Sequence, residues 1–204
     1  MTYRDRTLTY REVADEAEHI AAVLAGRGVT RGSMVVWWGD TSVNVVSLFF
    51  GLAHLGAVFV PLNPRFSVAE ATAVIDRVDP TLVLVDDAHA GTLTLHEVLA
   101  LPRPSVFDVP RVEERDAHIV FFTSGTTGTP KGVVLSHRTD MLRGYARMER
   151  PWPLGPSVVM FPQFHMAGWA LPLASWMSGE EVVLVDGGDP DALLAAVERH
   201  RAYR

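Results

Sequence analysis

The chain has 204 residues, of which 48% are hydrophobic, so it is long enough to bury a substantial core in one or two domains. Its formal net charge is −6 and its pI is about 5.7, which excludes the basic surface that nucleic-acid binding requires. We therefore expect no nucleic acid among its partners. The absence of cysteine excludes disulfides, thiolate metal sites and cysteine nucleophiles. Residues 1–11 are charged and lack an apolar stretch, so we expect no signal peptide and a cytoplasmic location.

Strand and helix signals alternate along the chain. Capping boxes at Thr9-x-x-Glu12 and Ser67-x-x-Glu70, and cap residues at Ser42 and Asp189, each precede a predicted helix. Apolar, β-branched runs between them predict strands. In chain order the predicted elements are a helix at 10–25, a strand at 34–38, a helix at 43–55, a strand at 57–60, a helix at 68–78, a strand at 81–85, a short helix at 95–101, strands at 118–122 and 132–137, a helix at 138–148, a strand at 157–161, a helix at 168–177, a strand at 181–186 and a last helix from 190. This alternation predicts an α/β fold with a mainly parallel sheet and flanking helices.

The segment 43–60 is almost entirely apolar and about long enough to span a bilayer. Asn44, Ser47 and His54 interrupt it, and Pro61 ends it. These features favour a buried helix that ends near Gly56 and is followed by a buried strand. We therefore expect no transmembrane segment, with a membrane span as the alternative.

Residues 123–132 read Thr-Ser-Gly-Thr-Thr-Gly-Thr-Pro-Lys-Gly and contain Lys131, the single lysine of the chain, against seventeen arginines. Three glycines, Gly125, Gly128 and Gly132, let the backbone approach a ligand closely, so that its N–H groups can converge on an anion. The lysine adds a mobile positive charge, and hydroxyl groups add donors at Ser124, Thr126, Thr127 and Thr129. The composition predicts a phosphate-binding loop, and a plain surface turn is the alternative.

The spacing from Gly125 to Lys131 comes close to that of a Walker P-loop. However, Pro130 stands in place of the second glycine, and Gly132 in place of the Ser or Thr that holds magnesium. The following residues, 132–137, are β-branched and short, which indicates a strand instead of a helix. We therefore predict that the loop joins two strands, and a P-loop phosphotransferase is disfavoured.

Residues 122–132, with the Ser136-His137 pair after them, resemble the phosphate-binding loop of the adenylate-forming superfamily, which includes acyl-CoA synthetases, peptide-synthetase adenylation domains and luciferases. Residues 8–13 and 51–63 resemble two earlier family stretches and also fit simple core packing. The resemblance implies ATP and Mg²⁺ as cofactors, with Thr127 as a contact for the Mg²⁺ of Mg-ATP. The implied nucleotide-binding residues are Thr123, Ser124, Gly125, Thr126, Thr127, Gly128, Thr129, Lys131 and Gly132.

Residues 161–168, Phe-Pro-Gln-Phe-His-Met-Ala-Gly, follow a predicted strand, where open α/β sheets place ligands. They resemble the family segment that borders the acyl pocket. The resemblance implies a catalytic His165 near the carboxylate and α-phosphate, and a substrate pocket formed by His165, Met166, Gly168 and Trp169. Taken alone, a histidine between Phe and Met is more often structural.

Amino-acid-activating members of the family carry Asp where this chain has His165. A substrate ammonium would be left unpaired here, so we expect a fatty or other apolar carboxylic acid. Apolar side chains nearby would suit such an acid and would equally suit an ordinary core: Phe161, Met166, Trp169, Leu171 and Trp176.

The implied reaction is ATP-dependent activation of the acid to an acyl-adenylate, followed by transfer to coenzyme A or a carrier-protein thiol. The family's adenine-binding and ribose-binding segments and its C-terminal lysine have no counterpart in this sequence. We therefore expect residues 1–204 to be the N-terminal part of an AMP-binding domain, without the C-terminal subdomain and the mobile lid domain, and without full activity alone. The alternative is a non-catalytic nucleotide- or pyrophosphate-binding module, or a subunit that a partner completes. An incomplete sheet predicts self-association through exposed edges.

Overall fold

The computed structural model describes residues 1–89, 93–123, 131–148 and 155–202. In these ranges the chain forms two sheets with helices packed against them. The strands are β1 Thr2–Tyr3, β2 Arg6–Thr7, β3 Met34–Trp38, β4 Val58–Leu62, β5 Leu82–Val85, β6 Leu93–Thr94, β7 Ala117–Thr123, β8 Lys131–Ser136, β9 Ser157–Val159 and β10 Val182–Leu184. The helices are α1 Tyr10–Ala25, α2 Val43–His54, α3 Val68–Val78, α4 Leu95–Ala100, α5 His137–Met148, α6 Ala167–Met177 and α7 Pro190–His200.

The larger sheet has the strand order β6-β5-β3-β4-β7-β8. All neighbouring strands in it are parallel except β7 and β8, which form an antiparallel hairpin. Val35 of β3 lies opposite Phe59 of β4 on one side and Leu82 of β5 on the other. Helix α2 connects β3 to β4, and α3 connects β4 to β5. The predicted α/β fold with a mainly parallel sheet is confirmed.

Strand β3, in the middle of the larger sheet, is buried on both faces. Val35 and Trp37 of β3 point into the hydrophobic cluster that includes α1 and α2, whereas Val36 and Trp38 point into the cluster that includes α3. A strand that is buried on both faces has no polar alternation. This is why β3 appears in the sequence as an uninterrupted apolar run.

A second sheet, with the order β2-β1-β10-β9, was not predicted. Strand β10 is parallel to both β1 and β9, while β1 and β2 form an antiparallel hairpin with Arg4 at a φ of 52° in its turn. The sequence indicates β9 and β10 as strands but gives no sign of β1 and β2. Strands of two residues are too short to produce a periodic pattern.

Helices α1, α2, α3 and α7 begin at the predicted cap residues. Thr9 and Ser67 complete capping boxes at the starts of α1 and α3, and Ser42 and Asp189 cap α2 and α7 through their side chains. Thr94 forms a further capping box at the start of α4. A side-chain oxygen at each of these positions accepts a backbone N–H that has no partner inside the helix. These local bonds explain why the helix starts could be predicted closely.

The apolar segment 43–60 forms the buried helix α2 and the strand β4, as predicted. A Cβ at Gly51 would lie 2.8 Å from the Ala17 carbonyl oxygen, so glycine lets α2 lie close to α1. In the described part of the chain, no helix combines the length and the apolarity that a bilayer crossing needs. The predicted end of the strand at residue 60 is wrong, because β4 continues through Pro61 to Leu62. The pairing of β4 with β7 is confined to Phe59, so the proline lies where β4 has one neighbour.

Candidate functional site

The predicted phosphate-binding loop connects β7 to β8. Thr123, the last residue of β7, lies opposite Lys131, the first residue of β8, and Phe122 lies opposite Gly132. The Thr123 hydroxyl donates a hydrogen bond of 3.3 Å to the Lys131 carbonyl oxygen. The prediction that the loop joins two strands is confirmed at both ends. Its inner residues lie outside the described residues: Ser124, Gly125, Thr126, Thr127, Gly128, Thr129 and Pro130.

The described ends of this loop are an exposed lysine and a closely packed glycine. Lys131 is exposed at the start of β8. A Cβ at Gly132 would lie 3.0 Å from Val120 Cγ1 and 3.5 Å from the Phe122 ring. Glycine at this position therefore lets β8 pack closely against the side chains of β7.

Buried polar side chains fasten the β7–β8 hairpin to α5. His118 Nδ1 of β7 lies 2.8 Å from Asp140 Oδ2 of α5, and both side chains are almost fully buried. Asp140 also pairs with Arg143. The ring of His137 stacks on His118, with 4.2 Å between the ring centroids. Burial and the neighbouring His118 lower the pKa of His137 to about 4, so this ring is neutral near pH 7.

The segment 161–168 forms a turn between β9 and α6. Strand β9 ends at Val159, two residues before the predicted end, because the chain turns at Pro162. The backbone N–H of His165 donates to the Pro162 carbonyl oxygen at 3.0 Å, and that of Gly168 donates to the His165 carbonyl oxygen at 2.9 Å. A Cβ at Gly168 would lie 2.3 Å from the Pro162 carbonyl oxygen. Only glycine permits this approach, so the turn depends on it.

His165 is exposed on this turn. Its Nδ1 accepts a hydrogen bond of 3.2 Å from the Ala167 backbone N–H, so the proton of the neutral ring lies on Nε2. The Phe161 ring is stacked beside it, with 6.5 Å between centroids. Phe161 and Met166 are 42% and 47% exposed. Together these side chains present an apolar surface with one N–H donor.

The other predicted pocket residues lie deeper. Trp169 is 1% exposed and stacks on Phe49 with 4.3 Å between the ring centroids. Leu171 and Trp176 are partly buried and pack against the same core. Trp169, Leu171 and Trp176 are therefore core residues. Met166 lies on the exposed turn.

A cleft of about 660 Å³ opens where strands of both sheets end. Its lining residues directly follow β3, β4, β9 and β10, and the polar ones are Asp40, Thr41, Asn63, Arg65, Gln163, Asp186 and Asp189. Ligands of open α/β sheets bind at the carboxyl ends of the strands. Because β7 is parallel to β4, its last residue, Thr123, lies at the same carboxyl end of the larger sheet as the residues after β3 and β4. The predicted phosphate-binding loop therefore begins at the end of the sheet where the cleft opens, and part of the segment 161–168 lines that cleft.

Hydrogen bonds join the loop after β5 to the loops after β3 and β4, which line the cleft. His89 Nδ1 lies 2.5 Å from Asp86 Oδ1, and His89 Nε2 lies 2.9 Å from the Pro64 carbonyl oxygen. Asp86 also accepts the Asp40 backbone N–H at 2.8 Å. Burial opposes the charge on both side chains, but these hydrogen bonds outweigh it, raising the pKa of His89 and lowering that of Asp86. Asp86 and His89 thus join the loop after β5 to the loop after β3 through the Asp40 N–H and to the loop after β4 through the Pro64 carbonyl oxygen.

The sequence motifs did not predict the cleft residues that follow β3, β4 and β10. The signal that could have found them is their position directly after a predicted buried strand, as at Asp40, Asn63 and Asp186. Gln163 lies within the predicted site segment 161–168, but its residue type alone indicated no role there. Its importance depends on a partner 121 residues earlier in the chain, which no local pattern reveals.

Comparison with known proteins places the chain in a family. Residues 1–203 match the family model described as AMP-binding enzyme. The 4-hydroxybutyrate--CoA ligase 2 of Metallosphaera sedula is 28% identical, in an alignment that covers 98% of this chain and 43% of the ligase. The chain therefore spans less than half the length of this curated relative.

Two solved structures share the fold. The O-succinylbenzoate coenzyme A synthetase of Bacillus subtilis in complex with AMP has a TM-score of 0.90 at 21% identity, covering 98% of this chain and 55% of that chain. The inhibitor-bound N-terminal domain of FACL13 from Mycobacterium tuberculosis has a TM-score of 0.83 at 26% identity, covering 98% and 57%. Because the family model matches residues 1–203, nearly the whole of this chain, the chain belongs to the AMP-binding enzyme family, in the adenylate-forming superfamily, and has the fold of the N-terminal portion of those enzymes.

Proposed function

We propose that this chain is part of an enzyme that activates a carboxylic acid with ATP and then transfers the acyl group to coenzyme A. A carboxylate oxygen attacks the α-phosphorus of ATP, pyrophosphate leaves, and an acyl-adenylate forms. The thiol then attacks the acyl carbon, and AMP leaves. The names of the ligase and the synthetase reported above support this reaction class.

The hairpin geometry carries the proposal. The carboxylate and ATP are both anions, so the protein's main tasks are to neutralise charge and to align the reacting groups. Residues 123–132 hold the β- and γ-phosphates, and Lys131 balances the charge of the departing pyrophosphate. The supporting observation is that Thr123 pairs with Lys131 at the carboxyl end of β7, and that Lys131 is exposed.

Magnesium enters this proposal as part of the nucleotide substrate. Within the described ranges, no group of three or more His, Asp or Glu side chains could hold a metal ion. The proposed contact Thr127 lies between those ranges, and its hydroxyl is the kind of hard oxygen ligand that Mg²⁺ prefers. Mg²⁺ bound to the phosphates would share their negative charge.

His165 acts as a hydrogen-bond donor in the proposed reaction. Its Nδ1 is occupied by the Ala167 N–H, which leaves the Nε2–H to bond an oxygen of the carboxylate or of the α-phosphate. A donor aimed at an oxygen on which charge develops stabilises the transition state. His165 and Lys131 would then act at opposite sides of the α-phosphorus.

The acid is proposed to be fatty or otherwise apolar. Phe161 and Met166 expose apolar surface beside His165, and residues 161–168 contain no carboxylate that could pair with a substrate ammonium. A buried ammonium without a partner would cost several kcal/mol, which disfavours amino acids. In this proposal, residues beyond the half of the fold that this chain matches supply the adenine and ribose contacts and the rest of the acyl pocket.

The test, made on the full-length enzyme that contains this chain, is acid-dependent exchange of labelled pyrophosphate into ATP, with octanoate as the acid and hydroxylamine to trap acyl-adenylate. Lys131→Ala should lower the exchange rate at least about tenfold, because one charge-assisted contact to phosphate contributes about 1.5–3 kcal/mol. The matched control is Arg138→Ala, which removes another exposed cation near the hairpin, one that pairs with Glu114. It should leave exchange unchanged.

Calorimetry with pyrophosphate and with ATP distinguishes the alternative. Binding that Lys131→Ala weakens, without any trapped hydroxamate, would favour a non-catalytic nucleotide- or pyrophosphate-binding module. No binding of either ligand, or equal behaviour of the Lys131→Ala and Arg138→Ala variants, would refute the assignment of the hairpin.

A further inference from the structure

A buried amide, Gln163, connects the turn that carries His165 to the larger sheet. Its Oε1 accepts the Ser42 backbone N–H at 3.0 Å, and its Nε2 donates to the Ser42 carbonyl oxygen at 3.1 Å. The residue is 3% exposed. The amide oxygen and nitrogen thus both bond to the backbone of Ser42. The pattern is that of a hydrogen-bonded residue pair in an antiparallel sheet, where each residue gives one N–H and one C=O.

The backbone of Gln163 is held as well. Its carbonyl oxygen accepts the Trp169 indole N–H at 2.6 Å, and its N–H lies at the longer distance of 3.5 Å from the Thr41 hydroxyl. Trp169 is fixed in the core by stacking on Phe49, and Ser42 caps the buried helix α2. Gln163 therefore joins α2 to α6. Fully satisfied buried networks of this kind specify one geometry.

We propose that Gln163 is a positioning residue that sets the orientation and tautomer of the His165 imidazole. The inference rests on the proposed function, in which the His165 Nε2–H donates to the reacting groups. Gln163 lies two residues before His165, so fixing the Gln163 backbone fixes the start of the turn. Two bonds of the turn then hold His165: its N–H donates to the Pro162 carbonyl oxygen, and its Nδ1 accepts the Ala167 N–H.

The site requires a side chain that both accepts and donates a hydrogen bond. A side chain of this length must accept from the Ser42 N–H and donate to its carbonyl oxygen, which an amide or a protonated carboxylic acid can do. A carboxylate would face that oxygen with like charge, in a buried position. A leucine would fill the volume and leave both Ser42 groups without a partner. Gln163→Glu and Gln163→Leu therefore have different expected behaviour.

The experiment compares these two variants with Ser175→Ala. The Ser175 hydroxyl is 2% exposed and bonds to the Ser157 hydroxyl at 2.8 Å, linking α6 to β9 away from the turn. The control thus removes a buried hydrogen bond of the same helix, α6, without touching the turn. The first readout is the His165 tautomer in the ¹⁵N-labelled chain at pH 8, measured by long-range ¹H–¹⁵N correlation. The second is the pH dependence of the Ser42 amide and Trp169 indole N–H resonances.

We expect the Nε2–H tautomer in the wild type and in Ser175→Ala. In Gln163→Leu the ratio of Nε2–H to Nδ1–H should fall about fivefold, as for the loss of one ordinary hydrogen bond. In Gln163→Glu, the Ser42 and Trp169 resonances should differ from wild type at pH 8 and return to it as the pH falls and the carboxyl group becomes a donor. A wild-type tautomer ratio in Gln163→Leu, an equal change in Ser175→Ala, or no return in Gln163→Glu would overturn the proposal.

Pyrophosphate exchange separates this inference from the proposed function. If the full-length enzyme that contains this chain exchanges, Gln163→Leu should lower kcat with little change in the KM for ATP, and Gln163→Glu should regain activity at lower pH than the wild type prefers. A parallel rise in the KM for ATP would contradict a positioning role. If the full-length wild-type enzyme shows no exchange, the proposed function fails, and the spectra of this chain still decide whether Gln163 positions His165. Should Gln163→Leu fail to fold, the pH profile of Gln163→Glu decides.

Discussion

Replacing Gly168 by alanine should destabilise the chain, although alanine is the better helix former. Gly168 is the second residue of α6, and glycine inside a helix is usually less stable than alanine by about 0.5–1 kcal/mol. Here a Cβ would lie 2.3 Å from the Pro162 carbonyl oxygen, 2.8 Å from its carbon and 2.9 Å from the Phe161 carbonyl oxygen. All three are backbone atoms, so no side-chain rotation can relieve the overlap.

The cost follows from the displacement that a methyl group requires. Ordinary contact begins at 3.4 Å, so the Pro162 carbonyl oxygen must move by about 1 Å. That oxygen accepts the His165 N–H at 3.0 Å, and the movement breaks or stretches this bond. Overpacking costs about 1–3 kcal/mol and the lost hydrogen bond about 1 kcal/mol. After the gain in helix propensity of about 0.5–1 kcal/mol, we expect a net loss of about 1–3.5 kcal/mol.

Urea denaturation followed by circular dichroism measures this difference. The control is Gly188→Ala at the same cleft, where an added Cβ meets no atom within 4 Å and the glycine does not have a left-handed φ. It should change the free energy of unfolding by less than about 0.5 kcal/mol. If Gly168→Ala were as stable as the wild type or more stable, the close contact at the turn would be refuted.

Three further predictions concern the hairpin and its support. Asp140→Ala leaves the buried His118 and the partly buried Arg143 without their carboxylate partner and should cost about 1–3 kcal/mol in urea denaturation; unchanged stability would show that these bonds do not support the hairpin. The folded state holds the pKa of His137 at about 4, below the ordinary value of 6.5, so the unfolded chain binds the proton more strongly. Stability should therefore be full above about pH 6.5 and decline by about 1–2 kcal/mol as the pH falls toward 4; a His137→Gln variant with the same decline would contradict this cause. Val133 and Val134 of β8 are 45% and 58% exposed on a strand that pairs, within the described residues, with β7 alone. Val134→Lys should lower self-association in light scattering, and an unchanged mass distribution would exclude this edge as the contact.

Helix starts and buried strands were predictable because their causes are local. A cap residue such as Thr9 or Ser67 bonds to a backbone N–H three residues later, and both partners can be read from the sequence. The run at 34–38 was predictable because burial on both faces leaves no polar residue in it. The smaller sheet was not predictable, because β1 pairs with β10 about 180 residues away, through strands too short to carry a pattern.

The sequence by itself determined the α/β class, the starts of the helices, and the joining of two strands by a Gly- and Thr-rich loop that ends at Lys131. These features depend on capping, hydrophobic periodicity and backbone freedom, which act over a few residues. Only the tertiary structure decided that Trp169 lies in the core, that Gln163 binds the backbone of Ser42, and that a cleft opens where strands of both sheets end. Each of these depends on which distant residues the packing of the two sheets brings together, and no short stretch of sequence contains that information.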